Sequence, residues 1–365
     1  MATWVADQGG PRKDKTRRRE TQRGRAGAAG TLRSGRAAGY PVLPSRRTPC
    51  LTAPPPALSG RAEADFAIES GRCGPLRVRA STRGGEVFDR FFAAYDQAFV
   101  LPDEKEGREG FLACLALNHG DAQARLLARF GAFREWVLVA ERDGDVVGGA
   151  NFICHAVAAH DGAPLLAMNL NYVFVAPAHR GRGHLRDMVA ASRGLARMSF
   201  AGADADTLPL RMFIELNDPL LMEADAYVLD SAVAGIDQFD RVAVWARLGA
   251  RILDFPYRQP PLSGTQAADA GLMLGVVDAP GATLDACVLG AHLERFFAIS
   301  VLKDGDPHAQ PAARAQLDLC AGRCAQGGGF ALLDPLPHLP ALRAGSGPGA
   351  PRGGFRERLA GLATG

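Results

Sequence analysis

Apolar residues recur along the middle of this chain in two rhythms, every second position and every third to fourth, and the rhythms take turns. LRVRAS, beginning at Leu76, alternates as a strand does, and residues 88–99 and 111–130 then space their apolar side chains for helices. Residues 136–140 and 146–155 are apolar runs separated by ERDGD, where the Asp143-Gly144 pair predicts a type I′ hairpin turn. A third run over 166–175 leads through a turn into a stretch that puts Leu185, Met188, Val189, Leu195 and Met198 on one helical face. Strands at 210–216, 251–257 and 271–277, and a helix at 236–248 stopped by Gly249, complete a mixed α/β order. Helical spacing returns at 284–297 and 312–320.

The two ends lack this patterning. Residues 1–65 are basic as far as Arg36 and then rich in Pro, Ala and Ser, so they read as a disordered leader, with order expected from about Leu76. The chain thus divides into that leader, a domain over 76–277, a helical extension over 278–335 packed on the domain, and a flexible tail over 336–365.

Charge and cysteines narrow the classes. The formal charge is +3, yet the first fifty residues hold twelve Lys/Arg against three Asp/Glu, so the remainder is acidic. The basic balance belongs to the leader, and without a patterned aromatic platform no nucleic-acid partner is required. Seven cysteines, Cys50, Cys73, Cys114, Cys154, Cys287, Cys320 and Cys324, are odd in number and irregularly spaced, against a secreted disulfide framework. Cys320 and Cys324 are one helical turn apart, but no second pair or nearby histidine cluster completes a zinc site, so no metal is expected. No apolar run reaches the ~20 residues of a membrane span. A soluble, cytoplasmic protein with no membrane partner is the expectation.

The most informative segment is NLNYVFVAPAHRGRGHLRDM, beginning at Asn169. Gly181 and Gly183 let the backbone approach a ligand, the helix start offers unpaired N–H groups and a favourable dipole, and Arg180 and Arg182 add charge suited to phosphate. A dinucleotide fingerprint would need a third glycine where Arg186 stands, and the nucleotide P-loop ending GK[ST] is absent. Coenzyme A is the leading phosphorylated ligand that remains.

These residues resemble the GCN5-related N-acyltransferases, the GNAT family, whose signature is a strand followed by Arg/Gln-x-x-Gly-x-Gly/Ala. Arg180-Gly181-Arg182-Gly183-His184-Leu185 supplies the Arg and the first required Gly, with Leu185 in place of the last small residue. Val175-Ala176-Pro177 is similar to the family's strand end, and residues 244–250, VWARLGA, to its helix ending in Tyr-x-x-x-Gly-Phe, with Trp245 in place of the tyrosine. The resemblance covers about 76–277. It implies a GNAT-like mixed central sheet flanked by helices. It also implies an acyl-CoA, acetyl-CoA by default, bound at Val175, Ala176, Arg180, Gly181, Arg182, Gly183, His184 and Leu185. The cofactor would enter where the strands at 166–175 and 210–216 splay apart, with main-chain N–H groups near Val175 and Ala176 polarising the thioester.

An amine attacking a thioester must lose a proton, which directs attention to polar residues in those two strands. Glu215 and Asn217 have strand spacing that sends both to one face, and a carboxylate between Ile214 and Leu216 suits a base. Asn169 and Asn171 share a face of the preceding strand and are candidates to hold substrate, while Tyr172 is expected on the opposite face. Asp218 suits a cap or bend before Pro219. Tyr257 is the candidate for the missing tyrosine's acid role. Asp96, Asp103, Glu104 and Glu106 lend the acceptor side an acidity that suits a cationic small-molecule or peptide amine. Residues 284–302 could cover the core or form a homodimer surface. No G-x-S-x-G elbow supports serine hydrolysis. A non-catalytic acyl-CoA sensor, which needs the phosphate turn but no base, remains the alternative.

Overall fold

The computed structural model describes residues 57–70, 74–101, 105–201, 207–261, 267–345 and 353–363. The basic run of the leader, Cys50, Cys73, Asp103 and Glu104 lie outside them.

In chain order, β1 (Ala57–Leu58), β2 (Glu63–Ser70) and β3 (Gly74–Ser81) precede three helices, α1 (Glu86–Ala98), α2 (Arg108–Ala116) and α3 (Gly120–Phe130). The hairpin β4 (Phe133–Arg142) and β5 (Asp145–Ala158) follows, and its turn has Asp143 at φ 52° and Gly144 at φ 89°, the positive pair that a type I′ turn requires. Next come β6 (Pro164–Val175), α4 (His184–Met198), β7 (Phe200–Ala201), β8 (Leu210–Asn217), α5 (Ala224–Ala234), α6 (Gln238–Arg247), β9 (Ala250–Leu253) and β10 (Leu272–Val277). The extension holds β11 (Thr283–Asp285), α7 (Ala286–Phe296), α8 (Pro311–Ala325) and β12 (Gly329–Leu333), and the tail holds α9 (Leu339–Ala344) and α10 (Phe355–Ala363). A π-helical turn, Phe297–Val301, continues α7.

Ten of these strands form one mixed sheet in the order β11-β12-β9-β10-β8-β6-β5-β4-β3-β2. Each pairing among these strands is antiparallel except β6 with β8, which α4 connects. One face packs Trp136, Leu138, Met168, Leu170 and Ile214 against Leu185, Met188 and Leu195 of α4 and Trp245 of α6. The opposite face has two clusters. Val137, Val139, Tyr172 and Phe174 meet the aromatics of α1 and α2, and Ile153, Phe213 and Leu274 meet α7 and α8. The fold is therefore three-layered, α/β/α, with the central helices α4 and α6 on one face and helices from both ends of the chain, α1, α2, α7 and α8, on the other. Among the described residues, no helix is long and apolar enough to cross a membrane.

Several boundaries differ from the sequence reading, each for a physical reason. Strands already precede Leu76 among the described residues: Ala64, Phe66 and Ile68 of β2 pack on the core while its charged residues face out at the sheet edge. The 111–130 stretch is two helices, broken where Gly120 takes φ 60° and Asn118 donates to the carbonyls of Thr82, Leu115 and Glu135. The strand expected over 251–257 stops at Leu253, so Tyr257 lies beyond it. The extension is not only helical, because β12 adds to β9. Within the tail, α10 buries Phe355 and Leu359, and Asp218 accepts the Phe355 N–H through both carboxylate oxygens at 2.9 and 2.8 Å.

Candidate functional site

The parallel strands β6 and β8 pair only from Leu166–Leu210 to Asn169–Phe213. Beyond that point β6 runs on to Val175 beside β5, and β8 runs on to Asn217 beside β10. Two neighbours that part while each keeps its other partner open a gap at their C-terminal ends, the place where open α/β sheets take ligands. A β-bulge sits at the same level: Phe152 opposes Leu170 and Asn151 opposes Tyr172, leaving Asn171 as the extra residue. The bulge cancels the alternation. Asn171 and Tyr172, expected on opposite faces, both line one small cavity of about 30 Å³.

On the α4 side of the gap, Gly181 and Gly183 take φ 78° and 88°. A Cβ on Gly183 would meet nothing within 4 Å, so it is the left-handed backbone, not lack of space, that calls for glycine there. Gly181, Arg182 and Gly183 are exposed, and Arg182 and Arg186 carry their charge into solvent beside the start of α4. Arg180 instead folds back, its Nε donating to the Val175 carbonyl at 3.3 Å. Partial burial lowers its pKa, though a guanidinium stays charged. His184 and Leu185 turn inward. His184 is buried with Nδ1 2.9 Å from Asp187 Oδ2, and Ser70 Oγ donates to the same oxygen at 2.6 Å. Leu185 sits in the core cluster of that face. These two residues can offer main-chain groups to a ligand, but their side chains hold the helix to the sheet. The Ala176 N–H is already engaged by the Val147 carbonyl at 2.9 Å, which takes it away from a thioester. The main chain of β6 after Asn169, which faces the gap instead of β8, is the better source of donors.

On the other side lies a buried polar band. Glu135 of β4, 1% exposed, accepts from Asn151 and Asn171 on one oxygen, both at 3.0 Å, and from Ser300 Oγ on the other at 2.6 Å. Asn171 also donates to Asn151 Oδ1 at 2.9 Å and accepts from Asn169 Nδ2 at 3.0 Å. Asn169 Oδ1 is buried with no hydrogen-bond partner among the described residues. Burial raises the Glu135 pKa, and the hydrogen bonds from Ser300 and Asn151 pull against it.

The sequence candidates Glu215 and Tyr257 come together here: the Tyr257 hydroxyl donates to Glu215 Oε1, and both are buried. Burial, then the Glu215 charge, pushes the Tyr257 pKa well above its usual value. A phenol so reluctant to ionise is a poor acid for a thiolate and a good fixed donor to Glu215. Asn217 separates from Glu215 and donates instead to Asp230 Oδ2 of α5 at 2.9 Å, whose other oxygen pairs with Arg241. Trp245 is fully buried in the α4-side core. Asp218 holds a turn, accepting from the Leu220 N–H at 2.9 Å, as well as the start of α10. The sequence reading missed Glu135, Asn151 and Ser300. Starting β4 at Phe133 instead of Trp136 would have put Glu135 in step with Val137 and Val139 on the inner face.

Residues 79–207 match the family model described as the acetyltransferase (GNAT) domain. Among solved structures, a GNAT-family protein from Desulfovibrio desulfuricans is 13% identical, with 55% of this chain and 98% of that one covered and a TM-score of 0.32. An IAA acetyltransferase from Bacillus cereus is 11% identical, with 59% and 98% covered and a TM-score of 0.24. A GCN5-related N-acetyltransferase from Rhodopseudomonas palustris is 15% identical, with 61% and 98% covered and a TM-score of 0.25. Likenesses this distant assign no role to any residue. No curated protein gave a significant match.

Proposed function

We propose that this chain, whose residues 79–207 match the GNAT acetyltransferase domain, transfers an acyl group, acetyl by default, from acyl-CoA to a primary amine of a small molecule or peptide. The observation that carries the reading is the β6–β8 gap, which joins the phosphate turn on one face to Glu215 and the asparagine ladder on the other. The pyrophosphate lies against the turn from Arg180 to Leu185, held by main-chain N–H groups at the start of α4 and by Arg182. The pantetheine arm follows β6 into the gap, where unpaired main-chain donors polarise the thioester carbonyl. The amine comes from the opposite face, where Asn169 Oδ1 can accept one of its N–H groups. Its nitrogen bonds to the carbonyl carbon and the C–S bond breaks. The amine proton passes to Glu215, directly or through one water, and the thiolate leaves. Tyr257 is a positioning residue that keeps Glu215 in place.

One observation favours a second reading. The cavity on the amine side is only about 30 Å³ and its Glu135 is enclosed, which suits a non-catalytic acyl-CoA sensor. Incubating the full-length protein with acetyl-CoA and a panel of amines, while following free-thiol release and the product mass, separates the two. Amine-dependent thiol release with a matching acyl-amine product supports transfer. Saturable CoA binding without turnover on any amine supports the sensor.

A further inference from the structure

Away from the gap, three side chains from three parts of the chain converge at one end of the extension. Cys287 lies in the first turn of α7, Cys324 in the last turn of α8, and His160 in the turn joining β5 to β6. A disulfide joins the two cysteines, while Cys320, one helical turn before Cys324, stays a buried free thiol. Cys287 Sγ lies 3.6 Å from His160 Nδ1, and donor atoms of all three residues lie within 4.8 Å of one another.

The arrangement is held in place by its surroundings. Asp285, the cap of α7, accepts the His160 N–H on one oxygen at 2.8 Å and the Cys287 N–H on the other at 2.7 Å. Gly327 packs beside the imidazole, where a Cβ would meet Nε2 at an ordinary contact distance of 3.4 Å, and its φ of 66° is what calls for glycine there. His160 is exposed and both cysteines are partly so, within reach of a small reductant. The positive end of α7 beside Cys287 favours a thiolate. Two thiolates and an imidazole are the donor set of a borderline-soft divalent cation. Tetrahedral zinc, with Zn–S near 2.3 Å and Zn–N near 2.0–2.1 Å, spaces S and N about 3.6 Å apart. The Cys287–His160 edge already has that spacing; the two sulfurs need to part to about 3.8 Å, and the Cys324–His160 edge, within 4.8 Å, to settle near 3.6 Å.

We propose that Cys287, Cys324 and His160 form a redox-exchangeable metal clip, closed by the disulfide when oxidised and by one zinc-type cation when reduced. A dithiol supplies two electrons and two protons to the sulfur pair and leaves as its own disulfide. Metal binding then releases the two thiol protons, and water completes the fourth position. Both closed states tie α7 to α8, and α7 runs into the π-turn whose Ser300 donates to Glu135.

The test uses the full chain, reduced with a dithiol, freed of it under anaerobic conditions, and titrated with Co²⁺ and then Zn²⁺. One equivalent of Co²⁺ should give a thiolate-to-cobalt charge-transfer band that Zn²⁺ abolishes, and the oxidised protein should give none. That comparison needs no substitution, so misfolded variants cannot obscure it. Cys287→Ser and Cys324→Ser should each lose the band. His160→Ala should weaken binding by more than the roughly 10–100-fold of an outer-shell change. The proposal is overturned if the reduced wild-type protein gives no band, if the band persists in either serine variant, or if His160→Ala binds as tightly as wild type.

Discussion

The two sides of the β6–β8 gap are built in opposite ways. The α4 side takes its groups from one short stretch, Val175 to Arg186, and relies on backbone conformation, exposed charge and a helix end. The opposite side gathers Glu135, Asn151, Asn169, Asn171, Glu215, Tyr257 and Ser300 from four strands, a loop and the π-turn. Its Glu135–Ser300 contact closes 165 positions of chain. Holding an anion can be a local property, because several N–H groups converge wherever a helix begins. Enclosing a carboxylate away from water cannot be local, because each lone pair needs a donor from a different direction. The first side should therefore govern cofactor affinity and tolerate change, and the second should govern chemistry and resist it.

The largest break in that comparison should come from Glu215→Gln. It keeps an acceptor for Tyr257 and removes the proton-accepting carboxylate, so turnover with an identified amine should fall about 10²–10⁴-fold while CoA affinity stays the same. A pH–rate profile together with a CoA titration checks this. Near-wild-type turnover with an unchanged acidic limb would remove Glu215 from the chemistry.

The second concerns pH. His155 and His292 are fully buried and 3.2 Å apart, and burial lowers both pKa values, that of His292 to about 3. The unfolded chain takes up protons below about pH 6.5 while the folded chain does not. Stability is therefore lost as pH falls from about 6.5 toward about 3, by ~1.4 kcal/mol per unit for each imidazole still neutral. His292→Phe, whose ring can keep the stack on Phe213 (centroids 3.8 Å apart), should flatten the slope of thermal stability against pH. An unchanged slope would clear the pair of responsibility.

Asn171→Ala comes third. It strips one donor from Glu135 and the partner from Asn169, and should lower stability by about 1–3 kcal/mol in urea titrations. CoA affinity should barely move, and a large loss of affinity would show that the two sides are not separate. The smallest effect is expected at Gly183→Val, where a branched residue is forced to φ near 88°. Calorimetry should record a loss of at least ~1 kcal/mol in CoA binding from lost or misaligned donors. Equal affinity would move the phosphates elsewhere.

The same contrast explains what could be read from the sequence. The strands β4, β5, β6, β8 and β10 and the helices α4 and α6 announce themselves through apolar rhythm, and the glycine turn through local chemistry. Glu215 and Asn169 were visible as polar breaks in buried strands, but not their partners, since sequence spacing says nothing of what lies across a sheet. Tyr172 was misplaced because a bulge leaves no mark in an otherwise regular run. α5 escaped because it has little apolar stripe: Val228 and Leu229 are exposed, and the helix is held by Asp230 on Arg241 and Tyr227 on Asp237. Of the polar band opposite α4, Glu135, Asn151 and Ser300 became legible only with the fold.

The hold of Asp218 on α10 sets an order for the chain's maturation during synthesis. Asp218 is buried immediately after the strand that carries Glu215 and Asn217, and burial raises its pKa against the hydrogen bonds from Phe355 and Leu220. While residue 355 is still inside the ribosome, that carboxylate lacks its partner on α10, even though every strand of the domain has emerged. The sheet can pair while α10 is still missing, but the strand end beside the gap acquires its final support only once α10 has joined it. A nascent chain stalled before Phe355 should therefore show protected amides in β4, β5 and β6 and exchanging amides at the end of β8.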